Sequence, residues 1–397
     1  MGNPFSSELN ASSGNTSSSQ LLHPLPNFGN TCYINSVLQV LHHTNALNPF
    51  WRDDAGFMQP AGLPVNESGA TMMGKVKRKS YQRSVSSGDE FYSAGSGSED
   101  ETNQMESKLV PLSPLACRED GNDTTEAHAP TNPVLMNALV ALFATSNVSK
   151  TYSSSLLSSL KFLLSTIDSL SDNQFECSHA QMQQDAQEFF NWMRERMIRE
   201  VPQMKGMFQG KIACETKCTW CEQVSERQEP FLDLQIQIRN HVSLRQCLKN
   251  YEKVEFLRGQ NKFYCDKCCT LQEATKRDKI LQLPAILCIQ LKRFQFSEKS
   301  FSFQKLMHRV AFSTELRMTT CNDTQDFFYE LYAVILHVGH TPHSGHYKSI
   351  ARTKDGWHMF DDDRIVEFDG DFEQYFGGQG SLETPYMLFY AMSHGPQ

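Results

Sequence analysis

The stretch Asn27-Phe28-Gly29-Asn30-Thr31-Cys32-Tyr33-Ile34-Asn35-Ser36 joins a turn to a helix and sets a cysteine at the junction. Asn and Gly around Phe28 are turn formers. The run that follows predicts a helix over 32–43, with Val37, Leu38, Val40 and Leu41 on one stripe and Asn35 and Gln39 interrupting the rest. A thiol at a helix start sits beside unpaired backbone N–H groups and the positive end of the helix dipole, which favour thiolate over thiol. Gly29 lets backbone approach a substrate carbonyl closely, and the amide of Asn27 can donate to the oxyanion of an acyl transfer. An inert buried thiol fits the same ten residues, so the decision lies downstream.

Far along the chain, Ser344-Gly345-His346-Tyr347 places a histidine on a strand after a tight turn. Trp357-His358-Met359-Phe360-Asp361-Asp362-Asp363 then offers carboxylates on the following strand. A Cys–His pair needs a third group to hold the imidazole, and an acid on a neighbouring strand can do so. His337, His340, His343 and His346 all compete, and spacing alone does not choose among them. Cys218-Thr219-Trp220-Cys221 and Cys265-Asp266-Lys267-Cys268 form two CxxC pairs with 43 residues between them. Four thiolates in two such pairs satisfy tetrahedral Zn²⁺ as a closed, structural site. Cys214 and Cys269 lie close by without completing a CxxC pair, and Cys177, Cys247, Cys288 and Cys321 are expected to pack as small hydrophobes.

The 397 residues, 39% hydrophobic and 21% charged, suffice for a sizeable core, although polar, serine-rich stretches dilute the balance. No apolar run approaches the roughly 18 residues a membrane helix needs. A net charge of −8 argues against non-specific nucleic-acid binding as the main task. The N-terminus has no apolar core of signal-peptide type, so the twelve cysteines are expected as thiols or ligands in cytoplasm or nucleus. Residues 1–24 read as a disordered head, with seven Ser and three Asn in the first twenty positions. Its opening residues fit the loose N-myristoylation pattern on Gly2, although a single acyl chain anchors only marginally. From 54 to 130 Pro, Gly, Ser and acidic residues dominate without a period, which reads as a flexible insertion. The basic cluster Lys75-Val76-Lys77-Arg78-Lys79 within it reads as a solvated charge run. Helices are expected over 133–145, 156–170 and 185–200. Strands are expected over 233–239, 286–294, 329–338, 346–352 and 386–390. Helices first and strands after is the order of an α+β protein.

The block 27–36 resembles the cysteine box of the ubiquitin-specific proteases, and 344–347 with 357–363 resembles their histidine box. Gln184-Asp185-Ala186-Gln187-Glu188-Phe189 matches a third block of that family, and Leu283 to Phe294, with Lys292-Arg293 near its end, a fourth. Order and rough spacing agree across Asn27 to Tyr390, and residues 25–394 would be the catalytic domain. The resemblance implies a papain-like α+β cysteine protease with thumb, palm and zinc-pinned β-rich fingers. It makes Cys32 the nucleophile, His346 the general base, Asp361 the orienting acid with Asp362 in reserve, and Asn27 an oxyanion donor. Asp185 and Glu188 would face the arginine-containing tail of ubiquitin, although a solvated pair at a helix start fits them too. The implied partners are ubiquitin and ubiquitinated proteins.

Glu215 to Ser225, and the doubled cysteine Cys268-Cys269, resemble a compact branch of the family that a WD-repeat propeller activates at the fingers. The long 54–130 segment departs from that branch. Two rival readings remain: a catalytically dead ubiquitin-binding scaffold on the same fold, and a protease for a ubiquitin-like modifier.

Overall fold

The computed structural model describes residues 23–51, 133–145, 154–172 and 174–394, save 176, 178–182, 239–241, 299, 322–325, 343 and 379. The readings placed on Gly2 and the head before residue 23, on the 54–130 insertion with its basic cluster, and on His343 lie outside the described residues. All described residues belong to one unit.

The helices come first: α1 (Cys32–His42), α2 (Val134–Thr145), α3 (Ser154–Leu170) and α4 (Ala186–Glu200). Strands β1 (Gly210–Cys218), β2 (Val224–Phe231) and β3 (Leu234–Ile236) follow, then α5 (Leu244–Tyr251). Next come β4 (Glu255–Leu257), β5 (Phe263–Cys265), β6 (Thr270–Gln272), β7 (Ala274–Gln282) and β8 (Ile286–Leu291). The chain continues through β9 (Phe294–Ser297), β10 (Ser302–Lys305), β11 (Glu315–Thr319), β12 (Asp326–Thr341) and β13 (Ser344–Thr353). It ends with β14 (Gly356–Asp361), β15 (Arg364–Phe368) and β16 (Glu383–His394).

Eight strands form one sheet in the order β15-β14-β13-β12-β16-β8-β3, with β11 also paired to β12. Its long strand β12 reads as a nearly continuous apolar run because both of its faces are covered. Ala333 and Ile335 point into a core shared with α1, α2, α3 and α4. Val334 and Leu336 point into a second core on the other face, with Leu244 and Leu248 of α5. In a separate four-stranded sheet, β2-β1-β7-β4, the first CxxC pair begins at the end of β1, and the second lies on the two-stranded β5–β6 hairpin.

The structure departs from the sequence reading at four points. The polar residues of α1 do not mark a solvated face, since every residue from 32 to 41 is buried. Asn35 and Gln39 are tolerated because each amide is paired, Gln39 Nε2 donating to the His23 carbonyl at 2.7 Å. His23, inside the segment assigned to a disordered head, is buried, as is Leu25. The strand expected to run through Phe294 stops at Leu291, where Arg293 N turns back onto the Leu291 carbonyl at 2.7 Å. Cys177, Cys247 and Cys288 are buried as expected, but Cys321 is exposed, in a bend beyond β11.

Buried charges tie α4 to α2 and to the chain entering β3. Glu200, at the end of α4, caps α2 by accepting from Leu135 N and Met136 N at 3.3 and 2.9 Å. Arg194, 2% exposed, donates to the Leu232 carbonyl at 2.9 Å and to Asp233 at 3.2 Å. Removing one partner of such a pair leaves the other charge uncompensated, so Arg194→Met is expected to cost about 3 kcal/mol in denaturant unfolding. Arg352→Met, at the exposed pair with Glu330, is expected to cost less than about 1 kcal/mol.

Candidate active site

Cys32 opens α1 and is 3% exposed. The turn before it is locked by its own side chains. Asn27 Oδ1 accepts from both Thr31 N and Thr31 Oγ1 at 3.1 Å, and Thr31 Oγ1 accepts from Phe28 N at 3.0 Å. Gly29 has φ 116°, a left-handed conformation that glycine adopts without strain. The sequence thus folds locally into a fixed elbow that delivers the thiol to the helix start.

His346 lies on β13 opposite Val338 of β12, and α1 packs against β13. Its Nε2 is 2.6 Å from Asp361 Oδ1, at the end of β14. A hydrogen bond to the Cys32 side chain is the largest influence on the imidazole; burial opposes it, the Asp361 bond adds to it, and the pKa rises to about 9. With Nε2 held by Asp361, Nδ1 is the ring nitrogen left for the thiol. Burial pushes the Asp361 carboxyl up, but the His346 bond and the Lys348 ammonium outweigh it and hold the group below its ordinary value. Lys348 Nζ lies 3.2 Å from Asp361 Oδ2 and 2.9 Å from Glu383 Oε1.

Among the competing histidines, His337 is fully buried between Phe294 and Tyr347, and burial first, then the nearby cations, push it down to about 3. His340 is exposed on the final residues of β12. Of these, the structure brings only His346 to both the thiol and an acid.

The two aspartates divide their work. Asp362 Oδ2 is 3.9 Å from His346 Nε2, too far for a hydrogen bond. Its carboxylate instead accepts from Asn27 Nδ2 and from Asn35 Nδ2, both at 2.8 Å. Asp362 therefore aims the Asn27 amide, whose second N–H stays available to an oxyanion. It can do so because it sits at φ 51° in the two-residue turn between the paired Asp361 and Arg364.

Asp185 and Glu188 part company. Asp185 is the N-cap of α4, accepting from Gln187 N at 2.7 Å and Glu188 N at 3.3 Å. Its other oxygen accepts from Tyr386 Oη at 2.6 Å, and burial pushes its carboxyl up. Glu188 is exposed one turn on.

Sequence reasoning missed Asn35, Lys348 and Gln183, whose Nε2 lies 3.8 Å from Cys32 Sγ. Asn35 had a signal: an amide inside an apolar stripe needs partners. Lys348 had one too, two residues after His346 and so on the same strand face. Gln183 had only its position beside Gln184-Asp185.

The four sulfurs of Cys218, Cys221, Cys265 and Cys268 lie within 4.8 Å of one another. β1 ends on Cys218 and β5 on Cys265, and Glu222 (φ 56°) and Cys269 (φ 53°) take left-handed conformations that turn each loop. The backbone N–H of Gln223 bonds to Cys221 Sγ and brings that thiol down to about 7. Its neighbours move the other way, Cys268 pushed up to about 12, first by burial and then by the sulfurs around it, so it is the convergence of the four thiols that fits a tetrahedral metal such as Zn²⁺. Cys269 points away, donating to the Asp266 carbonyl, and Cys214 sits mid-strand on β1.

A profile of the family described as "Ubiquitin carboxyl-terminal hydrolase" matches residues 24–390. A curated Schizosaccharomyces pombe protein, "Probable ubiquitin carboxyl-terminal hydrolase 9", is 32% identical over 92% of this chain and 65% of its own length. An Aspergillus niger protein, "Probable ubiquitin carboxyl-terminal hydrolase creB", is 31% identical over 96% of this chain and 56% of its own. The chain thus spans between about half and two thirds of these relatives. Its fold is similar to a chain of the SAGA Ubp8/Sgf11/Sus1/Sgf73 DUB module bound to ubiquitin aldehyde. The TM-score is 0.64 at 19% identity, covering 97% of this chain and 72% of that one.

Because the folded pKa of His346 lies above its ordinary 6.5, the imidazolium contributes stability that is fully present below about pH 6.5 and is lost as pH rises through about 9. In an imidazole NMR titration the ring is expected to release its proton near pH 9. Cys32→Ala removes the largest cause and is expected to bring that midpoint back toward 6.5.

Proposed function

Because the chain belongs to the ubiquitin carboxyl-terminal hydrolase family, a family of cysteine-type deubiquitinases, we propose that it hydrolyses the peptide or isopeptide bond after the C-terminal glycine of ubiquitin. The observation that carries this reading is the line Cys32, His346, Asp361, assembled where a helix start meets two neighbouring strands of the large sheet. Cys32 Sγ attacks the glycine carbonyl carbon while Asn27 and backbone N–H groups stabilise the oxyanion. His346 gives its proton to the leaving amine, the C–N bond breaks, and a thioester remains. His346 then takes a proton from water, whose oxygen displaces the sulfur and releases ubiquitin as a carboxylate. Asp361 keeps the imidazole oriented and charged when needed, and Asp362 holds Asn27. Glu188, exposed at the start of α4, is the acid free to meet the basic tail of ubiquitin, and Asp185 sets that helix start beside it.

The helical half acts as thumb, the large sheet as palm, and the four-stranded sheet as fingers in a papain-like arrangement. Cys218, Cys221, Cys265 and Cys268 would hold one structural Zn²⁺ at the fingertip, a cross-link with no position open for water. A WD-repeat propeller is the proposed activator, docking on the fingers. Trp220, 79% exposed, with Tyr264 and Leu271 also exposed there, supports that surface. The proposed setting is cytoplasm or nucleus, in keeping with free thiols at the described cysteines.

The test is hydrolysis of a ubiquitin C-terminal fluorogenic amide, beside covalent labelling by a ubiquitin-tail electrophile. Cys32→Ser and His346→Ala are each expected to lower turnover by about 10³-fold or more. Labelling without turnover by the wild type would mean a site awaiting its partner. Neither, with a propeller partner added, would overturn the reading in favour of a scaffold or a ubiquitin-like modifier.

Metal analysis checks the fingertip separately. One zinc per chain is expected in the wild type, with its loss and a lower melting temperature in Cys218→Ser and Cys265→Ser. A metal-free wild type would remove the assignment.

A further inference from the structure

Lys305 ends β10 and is 7% exposed, an unusual place for an ammonium. It pairs there with no carboxylate among the hydrogen bonds of the described residues. Its Nζ donates to three backbone carbonyls: His337 at 2.8 Å, Gly339 at 2.8 Å and Leu382 at 3.2 Å. Three acceptors around one nitrogen match the three protons of an ammonium.

Those carbonyls sit where the sheet loses its regularity. The β12–β13 ladder is in register through Val338↔His346 and then shifts before Thr341↔Ser344. Gly339 lies in the gap with φ 129°, and its N–H donates to the Leu382 carbonyl at 3.1 Å. Leu382 immediately precedes β16, whose first residue, Glu383, holds Lys348 against Asp361. The cradle of Lys305 thus gathers the carbonyls on either side of Val338, the residue opposite His346, and the strand end that reaches the acid.

The opposite side is closed by packing. A side chain on Gly345 would collide with the Val338 carbonyl oxygen and meet His337 Nε2 at 2.7 Å. His337 itself is wedged between Phe294 and Tyr347, with ring centroids at 5.2 and 4.9 Å. Lys305 is in turn held by Arg293, whose Nη1 donates to the Leu306 and His308 carbonyls at 2.9 and 3.0 Å. A loosened cradle would free the bulge, and with it the height of His346 above Cys32.

We infer that Lys305 is a positioning residue for the proposed reaction, an ammonium knot that sets the strand bulge on which His346 is registered. It acts through the backbone and touches no reacting atom. This inference rests on the functional reading above, but one of its readouts needs no ubiquitin. That readout is the pH dependence of Cys32 alkylation by iodoacetamide, which reports the thiol–imidazole pair directly.

Lys305→Met keeps the stem and removes the donors. Its kcat on the ubiquitin amide is expected to fall about 10-fold or more, with KM changed less than about two-fold. The acid limb of its alkylation profile is expected to move toward that of an ordinary thiol. Lys305→Gln, which retains two N–H donors, is expected to fall between Met and wild type on both readouts, and it carries the comparison if the Met variant does not fold. A lower melting temperature with unchanged kcat and unchanged profile would overturn the inference, leaving a purely structural lysine. A raised KM with unchanged kcat would overturn it in favour of substrate contact. If the wild type shows the paired-thiol profile but neither ubiquitin turnover nor labelling, even with a propeller partner added, the functional reading fails while this inference is still tested by the alkylation profiles of the variants.

Discussion

The carboxylate of Asp362 joins the two halves of this molecule. It accepts from Asn27 Nδ2 and Asn35 Nδ2, and its own backbone carbonyl accepts from Leu25 N at 3.0 Å. Three bonds from one turn residue therefore pin the segment before α1, the elbow and the helix itself to the β14–β15 hairpin. Hydrogen bonds to a charged group are worth about 1.5–3 kcal/mol each, so this is a strong seam as well as a geometric one. It also explains why two adjacent acids stand at the strand end. Asp361 points along its strand toward His346, and Asp362, turned by its positive φ, points back at the helix.

Elsewhere, buried cations do the work usually left to ladder hydrogen bonds. Lys305 and Arg293 bind main-chain carbonyls at irregular strand ends, and Arg194 binds a carbonyl and Asp233 where α4 meets the chain entering β3. Strand ends and bulges expose backbone acceptors that a sheet does not satisfy, and in a buried setting each must find a donor. A long cationic side chain can supply several at once. Such residues look like solvated charges in a sequence and behave as internal struts in the fold.

Much of the architecture was legible because its signals are local. The helix starting at Cys32 follows from the apolar stripe and the turn before it, and the strands follow from alternating or continuous apolar runs. The elbow was legible as well, since Asn27, Gly29 and Thr31 lie within five positions and bond mainly to one another. The role of Asn35 was not legible because it depends on long-range partners: α1 is buried on every side, and the amide donates to the Leu25 carbonyl and to Asp362. Lys305 left no sequence signal, because the carbonyls it binds belong to residues of any type.

The residues by themselves determined the order of helices and strands, the cysteine at a helix start and the two CxxC pairs. Each depends on spacing within one turn, one strand or one short loop. Only the tertiary structure decided that His346 reaches the thiol while His337 is buried, that Asp361 holds the imidazole while Asp362 holds the amides, and that four sulfurs from two distant loops converge. The reason is physical. These choices are made by contacts between segments hundreds of positions apart, where strand register and helix packing, not neighbouring side chains, set which atoms meet.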